Sequence, residues 1–146
     1  LSLRLWRISE FDDLSGRGGL LASARWNTRG HAVVYTAESS AGALSELLVH
    51  LDRDLIPPDF QLLTLEADPS VSILDAPRLP ANWKLDHTIT RKIGDEWLSS
   101  ERSALFRVPS AIVTHAYNVL INPLHPDSSQ IKIVARERLE FDRRLK

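Results

Sequence analysis

Apolar positions along the chain fall into two rhythms, short β-like runs and one or two stripes at helical spacing. Leu3, Leu5 and Ile8, with Trp6 and Arg7, predict a short first strand. Ser15-Gly16-Arg17-Gly18-Gly19 then reads as a mobile or tightly turned loop. Ala32-Val33-Val34-Tyr35-Thr36, bounded by Gly30 and by Ser39-Ser40, predicts a buried strand. Ser39 or Ser40 can cap a following helix whose Ala41, Leu44, Leu47, Leu48 and Leu51 recur as a core stripe. Pro57-Pro58 breaks the chain before a strand over Phe60 to Glu66, and Val71 to Leu74 suits a further short one. After a proline-rich connection from Pro77 to Pro80, Ile89, Ile93 and Trp97 at i, i+4 and i+8 predict a second helix near Thr88 to Ser100, despite Gly94. Leu105-Phe106-Arg107-Val108, Ala111-Ile112-Val113 and Ile131-Lys132-Ile133-Val134 read as strands, separated by Pro109-Ser110 and by the turn-rich 122–127. Strands outnumber helices and do not alternate regularly with them, which predicts an α+β fold.

Composition narrows the function classes. At 146 residues, 43% hydrophobic and 25% charged, the chain reads as one globular domain over 1–146. A net charge of -1 gives no field for a polyanion, so no direct nucleic-acid contact is expected. The absence of cysteine excludes a disulfide framework, a thiolate nucleophile and a zinc-thiolate site. No apolar run approaches the roughly 20 residues that cross a bilayer, and the first residues lack a signal-peptide core; the expected location is cytoplasmic. His31, His50, His87, His115 and His125 form no i, i+4 pair, so no metal site is expected.

Three residues on successive elements have suggestive chemistry. Arg25, in Arg25-Trp26-Asn27, can hold an anion; Tyr35 offers a flat ring; Glu46 can face a developing cation. Glu46 falls roughly 140° from Ala41 at about 100° per residue, away from the leucine stripe and beside Gly42 and Val49. That side suits a ligand or another element, and plain solvent exposure fits the periodicity equally. Taken singly, Arg25 reads as a surface ion-pair partner, Glu46 as a solvated helix residue, Tyr35 as core and Ser110 as a turn residue. Arg7 suits either a phosphate contact or a strand-end salt bridge. For Asn122 and His125 a self-bonded turn is the more economical reading than a pocket border, and the alternating C-terminal charges from Arg136 to Lys146 read as a solvated face.

The ordered set Leu5-Trp6-Arg7, Gly16 to Gly19, Arg25-Trp26-Asn27, Gly30, Val34-Tyr35-Thr36-Ala37-Glu38, Ala43-Leu44-Ser45-Glu46, Gly94-Asp95-Glu96-Trp97, Val108-Pro109-Ser110 and Asn118 through Pro123 resembles the RES domain over nearly the whole chain. The resemblance implies an ADP-ribosyltransferase-like split β-sheet core with flanking helices. It implies a toxin of a toxin-antitoxin pair that depletes NAD, with an Xre-type helix-turn-helix antitoxin blocking the active site. NAD is then a substrate and no cofactor is needed; the oligomeric state, including a homodimer, stays open. By motif, the catalytic set is Arg25, Tyr35, Glu46 and Ser110, with Arg7, Arg25, Tyr35 and Ser110 binding NAD. One departure is Ser23-Ala24, where the family commonly has two glycines.

Each assignment has a chemical reason. Nicotinamide leaves NAD as a neutral base, so cation builds up on the ribose and the enzyme's task is electrostatic. A Glu46 carboxylate near the anomeric carbon or the 2′-hydroxyl would stabilise that state. Arg25 can grip the pyrophosphate with two parallel bonds. Tyr35 can stack on the nicotinamide or ribose, and Ser110 can donate to a phosphate or amide. Water, inorganic phosphate and a macromolecular nucleophile all remain open as acceptors.

Overall fold

The computed structural model describes residues 2–51 and 59–145. The predicted break at Pro57-Pro58 and the terminal Lys146 lie outside them. Strands β1 (Leu3–Ser9), β2 (Val34–Ala37), β3 (Gln61–Ala67), β4 (Ile73–Asp75), β5 (Leu105–Pro109), β6 (Tyr117–Ile121) and β7 (Ile131–Arg138) accompany helices α1 (Arg17–Leu21), α2 (Ser40–His50) and α3 (His87–Ser100). The fold is α+β, with all seven strands in one sheet of order β4-β5-β6-β2-β1-β3-β7. Among the described strands only β4 and β5 run parallel.

The sheet is split at its centre. Seven register pairs join β1 to β3, whereas Trp6↔Ala37 alone joins β1 to β2. The strands therefore diverge there, and side chains must fill the gap. Because opposed residues share a face, Tyr35, Leu120 and Phe106 lie on one side with Ala37, Asn118 and Val108. Trp26, Val33, Trp97 and Leu98 pack on that side, with the Trp97 ring stacked on Phe106 at 4.9 Å. The opposite face buries Leu5, Leu63, Leu65, Val119 and Ile121 almost completely, each such side chain contributing about 1.5–3 kcal/mol of transfer free energy. Among the described residues no helix is long and apolar enough to cross a membrane.

Three local expectations are corrected. The glycine loop closes into α1, with Gly16 at φ 75° before it; a Cβ there would also meet the Val33 nitrogen at 2.7 Å. Residues 111–113 are not a strand, because the Ser110 hydroxyl accepts the amides of Ile112 and Val113 and curls the chain. The strand that does form, β6, begins at Tyr117. The third concerns α2. Ser39 caps it, accepting from the Gly42 amide at 2.9 Å. Yet Ala41 is exposed, Leu44, Leu47 and Leu48 are half-buried, and Ala43 alone on the helix is buried. The helix presses its small side to the sheet: a Cβ on Gly42 would sit 3.3 Å from that of Ala37. Glu46, one turn beyond Gly42 and Ala43, thus shares the packed side.

Candidate active site

Arg25-Trp26-Asn27 is clamped between β2 and α3. The Tyr35 hydroxyl donates to Asn27 Oδ1 at 2.6 Å and accepts the Trp26 amide at 3.1 Å. Asn27, fully buried, donates to the carbonyls of Ala22 and Thr28. From α3, Thr90 Oγ1 donates to the Arg25 carbonyl at 2.5 Å and Arg91 Nε to that of Ala24 at 2.7 Å. Asp95 accepts both the amide and the hydroxyl of Thr28, at 2.9 and 2.7 Å. Between these contacts the Trp26 carbonyl lies against Gly94, where a Cβ would be only 1.7 Å from its oxygen. The glycine that weakens α3 as a helix is what admits the loop. Ser23 and Ala24 serve the same loop: Ser23 Oγ accepts the Arg29 amide, and the Ala24 amide donates to the Asn27 carbonyl. Neither has positive φ, so this backbone does not demand glycine at 23–24.

Tyr35 is half-buried, and its phenol is held well above its ordinary pKa, chiefly by burial. With its hydroxyl committed to the loop, only its ring is left for a ligand. Arg25 points differently. Its Nη1 donates to the Lys84 carbonyl at 3.2 Å and its guanidinium lies 5.7 Å from the centre of the Trp83 ring. No described carboxylate pairs with it. The His87 imidazole nearby titrates below its usual value, through partial loss of hydration and then through the cations of Arg25 and Arg91. Arg25 and Arg91 thus bring two cations to this corner, with Asp86 opposing them.

Arg7 occupies the split in the sheet. Its Nη1 donates to the Tyr35 carbonyl at 3.3 Å, while its buried Nε has no partner among the described residues. Burial lowers its pKa, and Asp13 offsets this only in part. No described carboxylate forms a salt bridge with it, which removes the strand-end ion pair as its role.

Glu46 and Ser110 meet directly. Ser110 Oγ donates to Glu46 Oε1 at 3.3 Å, and Asn118 Nδ2 donates to the same oxygen at 2.8 Å. Because the Ser110 oxygen already accepts two amides, its one proton goes to the carboxylate. That geometry commits the Ser110 proton to Glu46. Asn118 and Tyr35 are diagonal neighbours on one sheet face, about 7–8 Å apart. The structure therefore gathers the predicted residues into two groups, Arg25 with Tyr35 and Glu46 with Ser110, on adjoining positions of that face.

Sequence reasoning named no role for Asn27, Thr90, Arg91, Asp95 or Asn118. A polar residue second in an otherwise apolar strand, and a glycine inside a helix, were the available signals for Asn118 and for the α3 contact. Asn122 donates to the Leu98 carbonyl and accepts the Leu124 amide, and His125 Nδ1 accepts the Asp127 amide, so this turn bonds to itself and to the end of α3. Arg136 pairs with Asp12 and Arg144 with Asp142 on the surface. A depression of about 450 Å³ lined by Trp83, Leu79, Pro109, Arg107 and Tyr117 opens beside the candidate residues, not among them.

The RES domain family model matches residues 4–142. Toxin Res of Pseudomonas putida is 44% identical over 133 residues, covering 88% of this chain and 90% of the relative. The Prs ADP-ribosylating toxin of a Sphingobium species is 35% identical over 157 residues, covering 99% and 98%. In shape, the chain is similar to one in the crystal structure of the M. tuberculosis MbcT-MbcA toxin-antitoxin complex, with a TM-score of 0.76 and 15% identity over 95% of this chain and 85% of the other. With a match spanning all but a few terminal residues, the chain belongs to the RES domain family.

Proposed function

We propose that this protein is the toxin of a toxin-antitoxin pair and cleaves NAD at the nicotinamide-ribose bond, water or inorganic phosphate capturing the ADP-ribosyl group. The bonding electrons leave with nicotinamide, the acceptor oxygen joins the anomeric carbon, and the acceptor's proton passes to solvent. The observation that carries the reading is Glu46: both protein donors bind Oε1, and no described residue donates to Oε2. That second oxygen serves the ribose cation or its 2′-hydroxyl. Arg25, a cation with no carboxylate partner among the described residues, takes the pyrophosphate. The Tyr35 ring supports the nicotinamide, and the Arg7 Nε, a buried donor awaiting an acceptor, adds a second contact to the dinucleotide. The cytoplasm, where NAD is plentiful, is the compartment this activity needs.

A second reading has its own support. Transfer of ADP-ribose to a protein uses the same cation, and the Sphingobium relative is named for ADP-ribosylation. An Xre-type antitoxin is the expected partner, silencing the enzyme by covering the cleft; the complex containing the structural neighbour supports such a partner. Incubating purified protein with NAD, with and without phosphate and with a cell extract, separates the readings by mass spectrometry. Free nicotinamide with ADP-ribose or its phosphate ester supports the first, and an ADP-ribosylated protein supports the second. Unchanged NAD under all three conditions rejects both. NAD turnover that persists in a stable antitoxin complex rejects the blocking role.

A further inference from the structure

We infer that Asn118 is the positioning residue that aims the Glu46 carboxylate, a role that rests on the catalytic assignment of Glu46 above. The Glu46 side chain rises from α2, whose leucines are half exposed and whose contact with the sheet runs through Gly42 and Ala43. Glu46, half-buried one turn beyond these small residues, carries a flexible three-carbon side chain. Two polar contacts hold its end. Asn118 makes the shorter of the two, at 2.8 Å against 3.3 Å from Ser110.

The anchor is itself rigid. β6 is paired on both sides, with Asn118 opposite Ala37 of β2 and Val108 of β5. Its amide therefore springs from a backbone held twice, on the face that carries Tyr35. Ser110, just after β5, is held by its amide bond to the Ala116 carbonyl and by the two amides its hydroxyl accepts, and its contact with Oε1 is the longer of the two. Two donors converging on Oε1 also decide which oxygen is left without a donor among the described residues. Turning Glu46 by one rotamer would exchange or lose both bonds, so the pair selects a single orientation of Oε2. Asn118 touches no reacting atom in this scheme. It acts through the carboxylate.

The test compares wild type, Asn118→Ala and Asn118→Asp in NAD consumption and in growth inhibition, with melting temperatures as the folding control. Asn118→Ala is expected to lower kcat about 10²-fold, the typical effect of misplacing a catalytic group by an ångström, with KM within about threefold of wild type. Asn118→Asp puts a second carboxylate beside Glu46, and two such groups share a proton. The acid limb of its pH-rate profile should therefore move to higher pH, a change that loss of packing alone does not produce. An Asn118→Ala protein with wild-type kcat overturns the inference, and so does an Asn118→Asp profile with an unmoved acid limb. If wild type inhibits growth without consuming NAD, the NAD reading fails by itself. The growth arm then decides the present inference: undiminished toxicity of Asn118→Ala overturns it, and attenuation matching Glu46→Ala supports it.

Discussion

The Arg25 loop and the Glu46 helix lie against the same sheet face, but they are held in opposite ways. The loop is bonded at almost every peptide, through Tyr35, Thr90, Arg91 and Asp95, and is pressed onto Gly94. The helix lies against the sheet on a glycine and an alanine, and its glutamate is steered by two bonds to one oxygen. Substitutions on the loop side should therefore disturb folding and function together. On the helix side, chemistry should be separable from stability.

The largest effect tests that separation. Glu46→Gln is expected to lower turnover about 10²–10³-fold while changing stability by less than about 0.5 kcal/mol, read by steady-state kinetics and thermal melting. A large drop in melting temperature would show that the helix side is structural too. On the loop side, Gly94→Ala should destabilise by about 3 kcal/mol, because the new methyl group meets backbone that cannot step aside. A normal melting curve for this variant would break the comparison from the other end.

Smaller effects sharpen it. Tyr35→Phe strips the partners from Asn27 Oδ1 and the Trp26 amide, which should destabilise by about 1–3 kcal/mol and raise the KM for NAD as the Arg25 loop loosens. If kcat falls and KM does not, the hydroxyl has a role in the chemistry beyond clamping the loop. Least of all, Asp127 accepts the amide and hydroxyl of Ser72, which hold its carboxyl below the usual range. A depressed folded-state pKa gives stability that is present above the ordinary value of about 4 and lost as pH falls through the folded value. The stability gap between wild type and Asp127→Asn should thus be small at neutral pH and close in acid. A gap unchanged at about pH 2 would mean that charge is not what ties this turn to Ser72.

How far the site was legible depends on how local each residue's task is. β1, β3 and α3 announce themselves through alternation or the Ile89, Ile93, Trp97 spacing, because burial of one face imprints a period on the chain. The orientation of α2 did not, since its leucine stripe is the louder signal although Gly42 and Ala43 make the contact. Residues 111–113 mimic a strand in composition, and only the hydroxyl of Ser110 bends them into a turn. Asn118, lying within an element that composition did not reveal, carried no local sign of its partner 72 positions away.

The sequence by itself determined the α+β class, the family, and the residue types competent to meet an anion, a ring and a cation, because these follow from side-chain chemistry and from periods within single elements. Tertiary structure alone decided their division into two groups, the consumption of the Tyr35 and Ser110 hydroxyls by neighbours, and the convergence on one oxygen of Glu46. Those outcomes depend on strand register and on how closely α3 approaches the loop, distances set by packing between segments far apart in the chain.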